Sequence, residues 1–465
     1  MSDSDPKQAH SPTVARALAR FATSTRYEDL PAQSIDHATM LISSTVASAA
    51  MGSTLESSRI MRALLVQRRG VEESTAWFAG APLLPVASAA RLNALMSDAA
   101  ASDDSDLRNI THPGTTLVAS SLAMAEKTGA SGPDVLTAIT LGYEVGARIN
   151  TGVVPGLIWE KGFHGCMVAI FGGAVAAGIL MKLSAEQMTN AIGLSASSVA
   201  GLLAAASTSM AREHHAGLAA ALGVEAAQLA GLGYTVEQSV LEHPRGFFFA
   251  YGQDAHVSGR VADVTRGLGD DWKILTDMAI KLVPGGHPYH AIGEAAANAA
   301  RAGDIKPDEI AAITLSRPNS HQINGPRHPI DLIGIAHSPY YFAAAGAVDR
   351  TFTWTHASPE KIRDPAIREL LDLVEIGDPP QENVERYRQG VTVTIRTRDG
   401  NSFSNTVYAP RGAAVNGIDW SDVEGKFAAL CPIGGLQRGA VDKASRIIRN
   451  FRDAGSVREL TELLR

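Results

Sequence analysis

The run MVAIFGGAVAAGILM, Met167 to Met181, has an apolar or small side chain at every position and lies between His164 and Lys182. A helix without a polar face has no side for solvent, so this stretch predicts a helix buried among others. It is too short for a bilayer span, which needs roughly 20 apolar residues. From Gly172 to Gly231 the chain stays rich in alanine and glycine, and small residues let helix axes approach closely. A bundle with backbones nearly in contact is expected there. Gly172-Gly173 and Gly231-Leu-Gly233 complete no dinucleotide or phosphate-loop fingerprint and follow no strand, so these glycines are read as packing positions.

Working outward, the pattern from Pro12 to about Gly267 is helix after helix. Apolar residues recur at helical spacing at Val14, Ala17, Leu18 and Phe21, through Ile35 to Ala50, and through Ser58 to Gln67, with punctuation at Gly52, Gly70, Gly80 and Pro82. Ser131-Gly-Pro-Asp134 reads as a helix start, and Ser184 with Gln187 as a capping box. After Gly267 the character changes. Ile310–Ser316 is a plausible strand; Val391–Thr397 alternates with period two, Arg398 to Asn401 makes a turn, and Ser402–Val407 returns. Helical pattern lies between, at Ala291–Ala302 and Tyr341–Val348. The expected fold is therefore mainly α with an α+β lid: a large all-helical domain, 1–267 completed by 411–465, and a smaller α+β domain, 268–410, inserted before the C-terminal helices. A chain of 465 residues is long enough for two such units.

The formal charge of −7, without a block of like charges, argues against nucleic acid as a partner. Met1 to Lys7 is polar with no apolar segment behind it, and only Cys166 and Cys431 are present. No secretory signal, disulfide framework, cysteine zinc site or membrane association is expected, and a cytoplasmic location fits.

Reactive side chains concentrate from Asp103 to Arg212, where helical patterns start or break. His112 precedes Pro113, which imposes an extended or turn backbone and places the ring at a loop edge. His164 follows Gly162-Phe163 directly before the apolar run, a place for a partly desolvated imidazole of lowered pKa. Arg212 and His215, three apart, share a helix face, and an arginine there can grip a carboxylate with two N–H groups. Metal is not expected: no His-Glu-x-x-His occurs, and Asp103-Asp104-x-Asp106 lacks the glycine and terminal glutamate of a calcium loop. Helix capping is the plainer role for these aspartates. No Gly-x-Ser-x-Gly elbow is present either. Acid/base chemistry by His, Tyr, Asp and Lys remains, with arginine holding an anionic substrate.

In order and spacing, the acidic cluster leading to His112-Pro-Gly, Ser131-Gly-Pro-Asp, Gly142-Tyr-Glu-Val-Gly-Ala-Arg148, Gly162-Phe-His164, the 212–217 segment, Lys281 to His290 and Ala336 to Tyr341 resemble the MmgE/PrpD family. That family includes 2-methylcitrate dehydratases, cis-aconitate decarboxylases and iminodisuccinate epimerase. The resemblance implies a homodimer, no cofactor, and a small di- or tricarboxylate bound between the domains. It also implies site roles for Asp103, His112, His164 and Tyr341. Two departures stand out: the family's Asp-Tyr/Phe-Asp-Asp-Thr reads Ala101-Ser-Asp-Asp-Ser105, and Arg212 stands where many members carry lysine. Arginine does not readily yield a proton, which turns the expectation toward an epimerase acting next to a carboxylate, on an amino or imino dicarboxylate such as iminodisuccinate. His112, His164, Tyr143 and Lys281 are the candidate acids and bases. Asp103, Asp104, Arg212, His215 and His290 are the candidate substrate-binding residues. The alternatives are a dehydratase, in which His164 or Tyr341 protonates the leaving hydroxyl, a decarboxylase, and an inactive carboxylate-binding relative.

Overall fold

In the computed structural model the apolar run becomes a 3-10 turn, Gly165–Ala169, continued by the α-helix Ile170–Leu180, buried almost all round. The structure describes residues 12–68, 70–80, 82–154, 157–252, 261–320 and 323–465; the reading of Met1 to Lys7 lies outside them. Helices Pro113–Thr128, Gly132–Thr151, Ala185–Ala196 and Ala211–Gly231 surround the buried one. Glycine sets how close they come. A Cβ on Gly142 would meet the Gly172 carbonyl oxygen at 2.8 Å, and one on Gly223 would meet that of Ile170 at 2.9 Å. Both distances are shorter than carbon can approach oxygen, so close packing is the role these glycines serve. Ser131 and Ser184 each cap their helix in a reciprocal box, with Asp134 and Gln187.

Two small sheets accompany the helices. The first pairs β1 (Asp104–Asp106) antiparallel with β2 (Met278–Ile280), Asp104 opposite Ile280. The second has the order β4-β3-β5-β6, where β3 is Ile310–Ser316, β4 Val374–Ile376, β5 Val391–Thr397 and β6 Ser402–Val407. The expected strand and hairpin are present, and Val391, Val393 and Ile395 turn inward as the alternation requires. β1 corrects the reading of residues 12–267 as helical throughout. Asp-Ser-Asp has poor strand propensity, and its pairing is imposed by a partner far along the chain. β4, also unforeseen, runs parallel to β3 and is too short to show a period.

The described chain is thus largely helical with a smaller α+β region. One apolar core joins the N-terminal helices to Trp272, Ile274, Met278 and Ile280 and to the C-terminal helices Trp420–Leu430 and Arg438–Arg449. A second, drawn from residues 291–407, fills the α+β region. β1 and β2 lie in the seam between. Among the described residues no single helix is long and apolar enough to cross a membrane.

Candidate functional site

The β1–β2 ribbon brings together what the sequence separates. Asp103 precedes β1 and Lys281 follows β2, so antiparallel pairing sets them opposite each other. The Lys281 N–H donates to the Asp103 carbonyl at 3.2 Å, and its ammonium donates to Asp103 Oδ1 at 2.6 Å. Asp103 Oδ2 lies 2.8 Å from His112 Nδ1. That nitrogen also lies 2.7 Å from the Asp104 carbonyl. Facing two acceptors, Nδ1 carries the proton, and Nε2 is left without a hydrogen bond among the described residues. Against the upward push of burial, the His112 and Lys281 charges hold the Asp103 carboxyl well below its ordinary range. Against the downward push of burial, the Asp103 carboxylate raises the His112 pKa.

Pro113 explains where that imidazole sits. It fixes the first turn of helix Pro113–Thr128, leaving His112 as N-cap. Asp104 caps the same helix, both carboxylate oxygens accepting from the Gly114 N–H at 2.9 and 3.0 Å. Burial and the adjacent Asp103 charge raise its pKa to about 7. Fully buried beneath the helix, Asp104 takes the capping role rather than the substrate-binding one.

A histidine pair faces this cluster. His164 Nδ1 lies 3.1 Å from His215 Nδ1, a hydrogen bond only if one nitrogen carries the proton and the other its lone pair. Burial, then the charges of His112, His215 and Arg212, push the His164 pKa down to about 3, and burial lowers that of His215. His164 is therefore neutral near pH 7. Arg212 Nη2 donates to the carbonyls of Asp98 and Ala99 at 2.8 and 3.1 Å, at the C-terminus of helix Val86–Ala99. Despite burial, the Asp98 and Glu213 carboxylates raise its pKa. Arg212 is thus a fixed positive charge that borders a cavity of about 280 Å³, shared with Ala99, Ala101, Ile333 and Ala336.

Three further expected site residues are held by packing or by hydrogen bonds of their own. Tyr341 is packed in the α+β core, its hydroxyl donating to the His356 carbonyl at 2.8 Å; burial raises its pKa, so it is neither free nor acidic enough to protonate a leaving group. Tyr143 is fully buried in the helical core, where burial and the Asp106 charge push its pKa well up, which removes it as a base. His290 is held by its Nε2–H to the Gly285 carbonyl at 3.1 Å and stacks on Phe342.

Sequence reasoning missed Asp98 and His287. Asp98 offers oxygen close to Asp103 and His112, ligand atoms of the three lying within 4.8 Å of one another. Such a group could hold a cation, but the Lys281 ammonium already supplies Asp103 with positive charge. A sign for His287 was present in the chain: His287-Pro288 opens helix His287–Ala302 much as His112-Pro113 opens its own.

These features define a largely helical protein with a smaller α+β region and a cluster of buried, interacting acid/base groups. Residues 16–259 match the MmgE/PrpD N-terminal domain model and residues 284–450 the C-terminal one, so the chain belongs to the MmgE/PrpD family. Among its relatives, the cis-aconitate decarboxylase of Homo sapiens is 28% identical over 403 residues, covering 84% of this chain and 82% of the human one. The cis-aconitate decarboxylase of Aspergillus terreus is 26% identical over 427 residues, covering 86% and 85%.

Proposed function

We propose that the protein is a lyase that decarboxylates a small unsaturated tricarboxylate of the cis-aconitate kind, without a cofactor. The observation that carries this is the pairing, in one seam, of an imidazole whose pKa an anion raises with one whose pKa burial lowers: His112 on Asp103 beside Lys281, His164 on His215. Environments that push two like groups apart in pKa mark a donor and an acceptor. Loss of carbon dioxide leaves the electron pair of the broken C–C bond on the substrate, and one proton must quench it. His112 supplies that proton from Nε2 and regains one from solvent. Lys281 and Arg212, as fixed cations, hold the carboxylates that remain and stabilise the developing charge. Arg212 needs no proton transfer in this scheme, so its replacement of lysine is compatible with lyase chemistry.

The named decarboxylases among the relatives favour this over the epimerisation expected from the sequence. The deciding experiment incubates the purified protein with carboxyl-labelled cis-aconitate in deuterated water. Labelled carbon dioxide and an unsaturated dicarboxylate carrying one deuterium are expected. Deuterium washing into an iminodisuccinate-type dicarboxylate, with no loss of carbon dioxide or water from any acid offered, would return the epimerase reading.

A further inference from the structure

A lysine is seldom buried without an acidic partner, because its charge gives up the solvation of water. Lys426, on the C-terminal helix Trp420–Leu430, is 2% exposed. Among the described residues its ammonium donates to neutral oxygens: Ser44 Oγ at 2.7 Å, on helix Ala32–Gly52, and the Ser102 carbonyl. It also lies 5.6 Å from the centre of the Trp354 ring. Burial pushes its pKa down to about 7; Lys281 pushes the same way, while Asp103, Asp104 and Cys431 pull against both. Stability does not account for the charge. Val423, Phe427 and Leu430 already seat this helix in the apolar core, and an apolar side chain would fill the same space with nothing to desolvate.

What the ammonium holds is a strained turn. Ala101 has a φ of +51°, in the left-handed region that a residue with a Cβ adopts at a cost and keeps only where its surroundings impose it. Here distant parts of the chain impose it, one carbonyl at a time. The Ala101 carbonyl accepts from the Gly285 N–H at 2.9 Å, that of Ser102 from Lys426, and that of Asp103 from the Lys281 N–H at 3.2 Å. The Ser102 hydroxyl is held as well, 2.7 Å from Ser48 Oγ. The next side chain is the Asp103 carboxylate, which spans His112 and Lys281.

We propose that Lys426 is a positioning residue: by fixing the Ser102 carbonyl it keeps the Ala101–Ser102 turn in the conformation that aims the Asp103 carboxylate at His112 Nδ1. Its consequence for turnover rests on reading His112 as the proton donor, whereas its effect on Asp103 does not, so the test reads the two separately. Nitrogen-15 NMR of the His112 ring comes first. In Lys426→Met, and in Lys426→Leu as a second apolar variant, the turn relaxes, Asp103 leaves the ring, and the His112 pKa should fall toward about 6.5. The sign decides, since loss of a nearby positive charge with the geometry intact would raise that pKa. Ala101→Gly, for which the left-handed conformation carries no strain, should return part of the shift when added to Lys426→Met; a lysine that mattered only through its charge would not be rescued from the backbone. With cis-aconitate, Lys426→Met should lose roughly 10–10²-fold in kcat, the scale of a misplaced catalytic group, with KM and Tm near those of the wild type. A His112 pKa unchanged or raised in either folded apolar variant, or no return on adding Ala101→Gly, would overturn the proposal. A lowered His112 pKa in a protein whose wild type releases no carbon dioxide would uphold the positioning role and overturn the decarboxylase reading.

Discussion

Two buried ion-pair networks, built from similar groups, serve different ends. In one, Arg148 pairs with Glu144 one turn earlier on its helix, and its remaining donors reach the carbonyls of Arg266 at 2.5 Å and of Gly267 and Asp271 at 2.9 Å. Glu144 accepts in turn from the Lys273 N–H at 2.6 Å. That network is closed, tying helix Gly132–Thr151 to the chain entering the seam. In the other, Asp103 is saturated by Lys281 and His112, yet His112 keeps Nε2 free and its side chain 22% exposed. Burial and charge do not distinguish the two. A ring nitrogen left unpaired among the described residues, on a partly exposed side chain, does.

The contrast is sharpest under mutation. Arg148→Met should destabilise the fold by about 3–5 kcal/mol, because Glu144 is left buried and unpaired. Urea unfolding measures this, and turnover per folded molecule should stay near that of the wild type. Lys281→Met should do the reverse, losing roughly 10²–10³-fold in turnover, as expected for removal of a preorganised charge, with a smaller change in urea midpoint. If Lys281→Met proved the more destabilising and Arg148→Met the less active, the division would fail.

Acid should expose the histidine side next. With folded pKa values of about 3, His164 and His290 take up protons more readily unfolded than folded. Their contribution to stability is complete above about pH 6.5 and is lost as pH falls below it. His112, raised when folded, acts oppositely: its contribution is full below about pH 6.5 and is lost as pH rises through its folded value. Tm should therefore fall on acidification, and less steeply in His164→Gln. Smallest of all, Tyr341→Phe should cost about 1 kcal/mol, one hydrogen bond to the His356 carbonyl, and leave turnover unaltered.

Much of the fold was legible because it rests on local signals: the faceless run Met167 to Met181, the capping boxes at Ser131 and Ser184, and the alternation of Val391–Thr397. The site was legible as residues but not as an arrangement. Asp103, His112, His164 and Lys281 each stood out by type and position, yet the contact between Asp103 and Lys281 spans 178 residues and depends on a ribbon with no strand signature. Tyr341 was misplaced for the same reason in reverse, since lid packing decides where its hydroxyl points. Asp98 had no local mark, being one aspartate near the end of an ordinary helix.

The central claim is that two imidazoles in one seam hold opposite protonation states. Nitrogen-15 NMR of the histidine rings, assigned with His112→Gln and His164→Gln, tests it directly. At neutral pH His112 should report an imidazolium and His164 a neutral ring with its titration pushed down toward about 3. A neutral His112 at that pH, or the two rings titrating together near the ordinary value of about 6.5, would contradict the account.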